Sequence, residues 1–171
     1  MLKSRHLTAR VKSMDIKTNV MRLIEKKKLP YKAHSYADTD AISGVDVAAV
    51  MGQDASCVFK TLVTTGKTGA HYVFVIPVAE ELDLKKAAKA VCEKSIEMLK
   101  SKELLPLTGY IHGGCSPIGM KKFFTTTVHF TACDKETIFF SAGKIGYQIE
   151  MAPADLEKMI RLSYADVIVT E

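Results

Sequence analysis

The chain has 171 residues and a mass of 18.8 kDa, with 47% hydrophobic and 25% charged residues, proportions that fit one globular domain and exclude wholesale disorder. Its longest apolar run, Tyr72 to Ala79, contains Pro77 and is far too short to cross a bilayer. The formal charge of +5 is uneven: +4 over residues 1–13, −1 over 14–84, +5 over 85–122 and −3 over 123–171.

Residues 1–13 hold Lys3, Arg5, Arg10 and Lys12 with no acid and no apolar stretch, so they do not read as a secretory signal. They are expected to be a disordered leader, either an upstream start or a vector-derived remnant, with a short transit peptide as the alternative. The folded domain is expected over 14–171. Over 15–28, Ile16, Val20, Leu23 and Ile24 fall on one helical face, and Pro30 is expected to stop that helix. An extended run Tyr31–Tyr36, a turn at Asp38–Asp40 and a short helix Gly44–Met51 closed by Gly52 follow. Cys57–Thr65 and His71–Pro77 read as strands joined by the turn Gly66–Gly69. The second does not alternate, so both its faces are expected to be buried, as in a central strand.

Leu84–Val91 reads as a short amphipathic helix with Lys85, Lys86 and Lys89 outward, and Ser95–Leu104 as another helix. Residues 107–119 break the periodicity with four glycines and a proline. Short strands are expected around Thr126–Thr131, Thr137–Ser141 and Gly146–Met151. A helix from Pro153 through Leu162 and a last strand at Val167–Val169 close the chain. Strands and helices without a regular βαβ rhythm point to a single mixed-sheet α/β or α+β domain.

Lys60 is the most informative residue. Period-two alternation puts Val58, Lys60 and Leu62 on one face of its strand and Phe59, Thr61 and Val63 on the other. An ammonium between aliphatic neighbours is costly unless it meets a polar cavity or a partner, although a snorkelling lysine on an edge strand has the same pattern. Consecutive Gly113 and Gly114 can aim backbone N–H groups at an anion or oxyanion, or serve only as a tight connection. The basic band 85–122 suggests an anionic partner, or a solvated helix face. Cys57, Cys92, Cys115 and Cys133 are widely spaced, without metal-ligand or redox spacing, which implies a reduced, intracellular protein with no structural metal. Gly66-Lys67-Thr68 lacks the upstream glycine of a phosphate loop, and Gly114-Cys115-Ser116-Pro117-Ile118 lacks the final glycine of a nucleophile elbow.

Four stretches resemble the YbaK family of aminoacyl-tRNA deacylases, relatives of the editing domain of bacterial prolyl-tRNA synthetases. They are Phe59–Leu62, Leu82–Lys89, Gly109-Tyr110 with Gly113–Gly119, and Ser141–Gly146. The resemblance implies a strongly curved mixed sheet or partly open barrel flanked by short helices. It also implies editing of Cys-tRNA(Pro), and of Cys-tRNA(Cys), in the cytoplasm with no cofactor and no metal. The substrate's own thiol would attack its ester carbonyl, so the enzyme would supply position and charge rather than a nucleophile. Lys60 matches the family's essential lysine, with Gly113 and Gly114 as oxyanion donors and Tyr36, Thr61, Ser141 and Gly143 as pocket positions. Lys85, Lys86, Lys89, Lys121 and Lys122 would meet the tRNA acceptor end, and prolyl-tRNA synthetase would be a partner. Gln148 stands where some members have an acid, and Ser43 where some have an aromatic residue. The alternatives are an Ala-tRNA(Pro) deacylase and a non-catalytic module that binds a tRNA end or a synthetase.

Overall fold

Helix α1 (Asn19–Lys26) begins where Thr18 Oγ1 accepts the Met21 N–H at 3.3 Å, in a computed structural model that describes residues 16–170. The leader at 1–13 lies outside the described residues. The helix is shorter than its periodicity predicts, and Pro30 does not end it. Lys28 adopts φ 59°, and its N–H and that of Leu29 return to the Glu25 and Ile24 carbonyls at 2.9 and 3.3 Å, a paired cap that closes the last turn before the proline is reached. Val20, Met21 and Ile24 are buried.

Strand β1 (Lys32–Ser35) and helix α2 (Gly44–Met51) follow as expected, with Ser43 Oγ capping α2 through the Asp46 N–H at 3.1 Å and Gly52 at φ 66° closing it. Strand β2 (Phe59–Gly66) and strand β3 (His71–Pro77) form an antiparallel hairpin with Lys60 opposite Ile76 and Thr61 opposite Val75. Helix α3 (Leu84–Ala90) starts at Asp83, whose carboxylate accepts the Lys85 and Lys86 N–H groups at 3.0 Å. The predicted helix at Ser95–Leu104 is divided. Ile96–Met98 is strand β4, paired with Thr64–Gly66, and helix α4 (Ser101–Thr108) begins only after it. Pairing to β2 and burial of Ile96 override local helical preference there.

Strands β6 (Ile138–Ser141) and β7 (Tyr147–Met151) lie where the sequence puts them, while β5 (Thr125–His129) stops short of the expected Thr131 because Phe130–Asp134 winds into a 3-10 helix. Helix α5 (Pro153–Met159) has proline in its first turn but ends before Leu162, which opens strand β8 (Leu162–Ala165), parallel to β5. The segment Val167–Val169 joins no sheet but pairs with 81–83 through the Asp83 N–H to Val167 and Val169 N–H to Glu81 bonds, at 2.8 and 2.9 Å.

The mixed sheet is therefore two sheets among the described residues: β1-β7-β6, antiparallel throughout, and β4-β2-β3-β5-β8, antiparallel on one side of β3 and parallel on the other. One parallel bridge, Val58 to Phe139, joins them without closing a barrel. Strand β3 is central, as its unbroken apolar run predicts. Val73 and Val75 enter the core shared with α1, Phe140, Ile149 and Leu156, while Phe74 and Ile76 pack on Ala87 and Ala88 of α3. Gly143 has φ 86°, and a Cβ there would lie 2.9 Å from Tyr110 Cε1 and 3.0 Å from Val20 Cγ2, so the glycine in the β6–β7 connection lets α1 and Tyr110 close over it.

Candidate active site

The two sheets part beyond the Val58–Phe139 bridge, and a cavity of about 520 Å³ opens between them. Its position follows from the register. Strand β4 pairs only with Thr64–Gly66, so the outer edge of β2 from Lys60 to Val63 has no partner strand; beyond β4 it receives the Leu99 N–H, bonded to the Val63 carbonyl at 3.1 Å. Alternation then puts the Thr61 N–H and carbonyl on that same open edge. Lys60 and Thr61 project to opposite faces, yet both line the cavity because it wraps around an uncovered strand edge.

Lys60 is half-buried, and desolvation pulls its ammonium below the ordinary lysine range, against Glu81 and Glu80, which pull it back up. Thr61 Oγ1 is buried with no hydrogen-bond partner among the described residues, an unmet valence on the cavity wall that a bound ligand would fill. Tyr36, Ser43, Gly44, Ser141 and Gln148 complete the polar and close-packed lining, with Val47, Val63 and Phe140 behind them.

The glycine loop contributes through one reverse turn. The Gly114 N–H donates to the Ile111 carbonyl at 3.0 Å, Gly113 has φ 87°, and His112 keeps a negative φ. That combination is the type II turn, which needs glycine at its third position. Gly113 and His112 therefore face the cavity, whereas Gly114 spends its N–H inside the turn and does not line it. Of the two oxyanion donors expected from sequence, the structure brings only Gly113 to the site. Gly143 also stays off the lining; its N–H donates to Ser141 Oγ at 3.1 Å and holds that hydroxyl.

Three features were not singled out from sequence. His112 lines the cavity beside Gly113. Gln53, just after α2, forms a reciprocal amide pair with Gln148 at 2.8 and 3.2 Å, fastening α2 to β7 with Gln148 only 4% exposed. Met98 at the end of β4 and Leu99 after it also line the cavity. The run Ile111-His112-Gly113-Gly114 carried a signal, since glycine third in a four-residue break is a turn rule. Nothing local marks Gln53. Cys115 lines the wall as a small buried thiol, and burial pushes it up to about 12.

The expected basic surface is less uniform than its charges suggest. Lys85, Lys89, Lys121 and Lys122 are exposed. Lys86 Nζ instead donates to Asp166 Oδ2, the Ile168 carbonyl and Thr170 Oγ1 at 2.9, 2.8 and 3.0 Å, so all three of its protons hold the segment after β8. Lys86→Met is expected to lower stability by about 1 kcal/mol, read as a lower urea midpoint, with the fold otherwise intact. An unchanged midpoint would show that this clamp is not structural.

A family model described as the aminoacyl-tRNA editing domain matches residues 39–159. A protein of Enterococcus faecalis, EbsC, assigned as a Cys-tRNA(Pro)/Cys-tRNA(Cys) deacylase, is 46% identical over 156 residues, covering 91% of this chain and 95% of that protein. A crystal structure of a protein assigned as a trans-editing enzyme for prolyl-tRNA synthetase superposes with a TM-score of 0.76 at 20% identity, covering 91% of this chain and 100% of the other. A hypothetical protein of known structure gives 0.80 at 21% identity, covering 88% and 99%; likenesses at this identity speak to the fold. No helix among the described residues is long and apolar enough to cross a membrane. With the matched model spanning β2, the glycine turn, β6 and β7, all of which line the cavity, this chain belongs to the aminoacyl-tRNA editing domain family.

Proposed function

We propose that this chain deacylates Cys-tRNA(Pro) in trans, with Cys-tRNA(Cys) as a second substrate, by letting the cysteinyl thiol cleave its own ester. The observation that carries the reading is a cavity that gathers Lys60, Thr61 and Gly113 but, among the described residues, offers no activated nucleophile, its one thiol, Cys115, being held protonated by burial. The likeness to EbsC supports the substrate. In this mechanism the substrate sulfur bonds to the carbonyl carbon, the bond from that carbon to the ribose oxygen breaks, and the products are a thiolactone and tRNA with a free terminal hydroxyl. Lys60 stabilises the ester oxygen or terminal ribose, and the Gly113 N–H meets the developing oxyanion. Tyr36, Thr61 and Ser141 border the aminoacyl group, and the Gly143 N–H fixes Ser141. Lys85, Lys89, Lys121 and Lys122 supply contacts to acceptor-stem phosphates, and the chain works in the cytoplasm beside prolyl-tRNA synthetase.

The test is loss of the ester from purified Cys-tRNA(Pro) with the full chain. Cleavage well above the spontaneous rate is expected, with a Michaelis constant that rises with salt as phosphate contacts are screened. Loss at the spontaneous rate, with binding retained, would favour the non-catalytic module instead.

A further inference from the structure

Thiol-assisted cleavage requires one proton to leave sulfur and one to reach the ribose oxygen. The cavity has few groups that can move it. Among the described residues its titratable lining side chains are Tyr36, Lys60, His112 and Cys115, with no carboxylate. Cys115, pushed up to about 12, keeps its proton through the neutral range. Desolvation pulls the Lys60 ammonium below the ordinary lysine range, against Glu81 and Glu80, and in the reading above that side chain is already committed to holding the ester oxygen or terminal ribose. Imidazole is the side chain that accepts and returns a proton near neutral pH.

His112 is also placed for that task. It is a central residue of the type II turn whose other central residue is Gly113, so one rigid element carries both to the cavity. It is exposed while lining the cavity, and its ring makes no hydrogen bond among the described residues. Lys60 on β2 lines the same cavity; on the β6–β7 connection Ile145 lies 3.7 Å from a Cβ built on Gly113 and the Lys144 backbone 3.5 Å from one built on Gly114, while Lys144 Nζ sits 5.6 Å from the Tyr147 ring centroid. The wall residues from α2, α4, β6 and β7, namely Ser43, Ser101, Ser141 and Gln148, are neutral.

We propose that His112 relays the proton of the thiol-assisted reaction. Its neutral imidazole takes the proton from the cysteinyl thiol as the sulfur–carbon bond forms. The imidazolium returns it to the ribose oxygen as the carbon–oxygen bond breaks, so the enzyme ends the cycle unchanged. This rests on the deacylase reading above.

The experiment compares the full chain with His112→Gln and His112→Ala on Cys-tRNA(Pro) between about pH 5 and 8.5, the range in which imidazole titrates. Wild-type kcat should show an acid-side limb, because the reaction needs a group free to accept the thiol proton. Both variants should lose about 10²-fold in kcat with little change in KM, and the acid-side limb should vanish. Free imidazole should restore part of the His112→Ala rate. Folded variants with wild-type kcat and an unchanged acid limb would overturn the proposal, as would a loss confined to KM, which marks a contact rather than a proton relay. A wild-type chain that never exceeds spontaneous hydrolysis would overturn the deacylase reading instead, so the two failures are distinguishable.

Discussion

Lys60→Ala is expected to lower kcat/KM for Cys-tRNA(Pro) by about 10²–10³-fold, the range set by loss of one preorganised charge-stabilising donor, while the protein stays folded. The fold should tolerate the change because Lys60 sits at an uncovered strand edge and makes no ion pair among the described residues. Removing a partly desolvated cation relieves a cost of burial rather than creating a void. The pH dependence follows from the direction of its shift. Desolvation lowers the Lys60 value, so activity that needs the ammonium is complete below that value and is lost as pH rises through it. The alkaline decline should therefore begin below the ordinary lysine range near 10.4, measured after subtracting spontaneous ester hydrolysis. A variant as active as the parent would remove Lys60 from the mechanism.

The second large effect belongs to the substrate. Exchanging the cysteinyl thiol for a hydroxyl or a hydrogen, in Ser-tRNA(Pro) and Ala-tRNA(Pro), is expected to reduce kcat by at least about 10²-fold, because an intramolecular nucleophile is lost and no protein group replaces it. The wall of Val47, Val63 and Phe140 is apolar, and a hydrophobic pocket discriminates only weakly between such close isosteres. The difference should thus appear in kcat more than in KM. Equal turnover of Ala- and Cys-tRNA(Pro) would point to activated water and to the Ala-tRNA(Pro) alternative.

Much of this was readable in advance where local pattern and final environment agree. Strand β3 announced its central place because Val73 to Ile76 are apolar on both faces, and both faces meet a core. Lys60 was legible because it interrupts an apolar strand. The helix ends were less so. Lys28 closes α1 in a conformation usually left to glycine, and Ser95–Leu104 and Leu162 lost helix to strand pairing with residues far away in sequence. Within the site, two adjacent glycines look equivalent as letters. Only the handedness of the turn decides that Gly113 faces the cavity while Gly114 closes the loop. The Gln53–Gln148 pair joins residues 95 apart, and no periodicity reports such a meeting.

The open margin of β2 has a consequence for how variable this family site can be. Bare strand margins usually invite pairing with another chain, but here the margin lines a cavity shared with the second sheet. What it presents is peptide amide and carbonyl, which no side-chain substitution deletes. Variation in the surrounding walls can therefore retune which acyl group is accepted while the polar track beneath it persists.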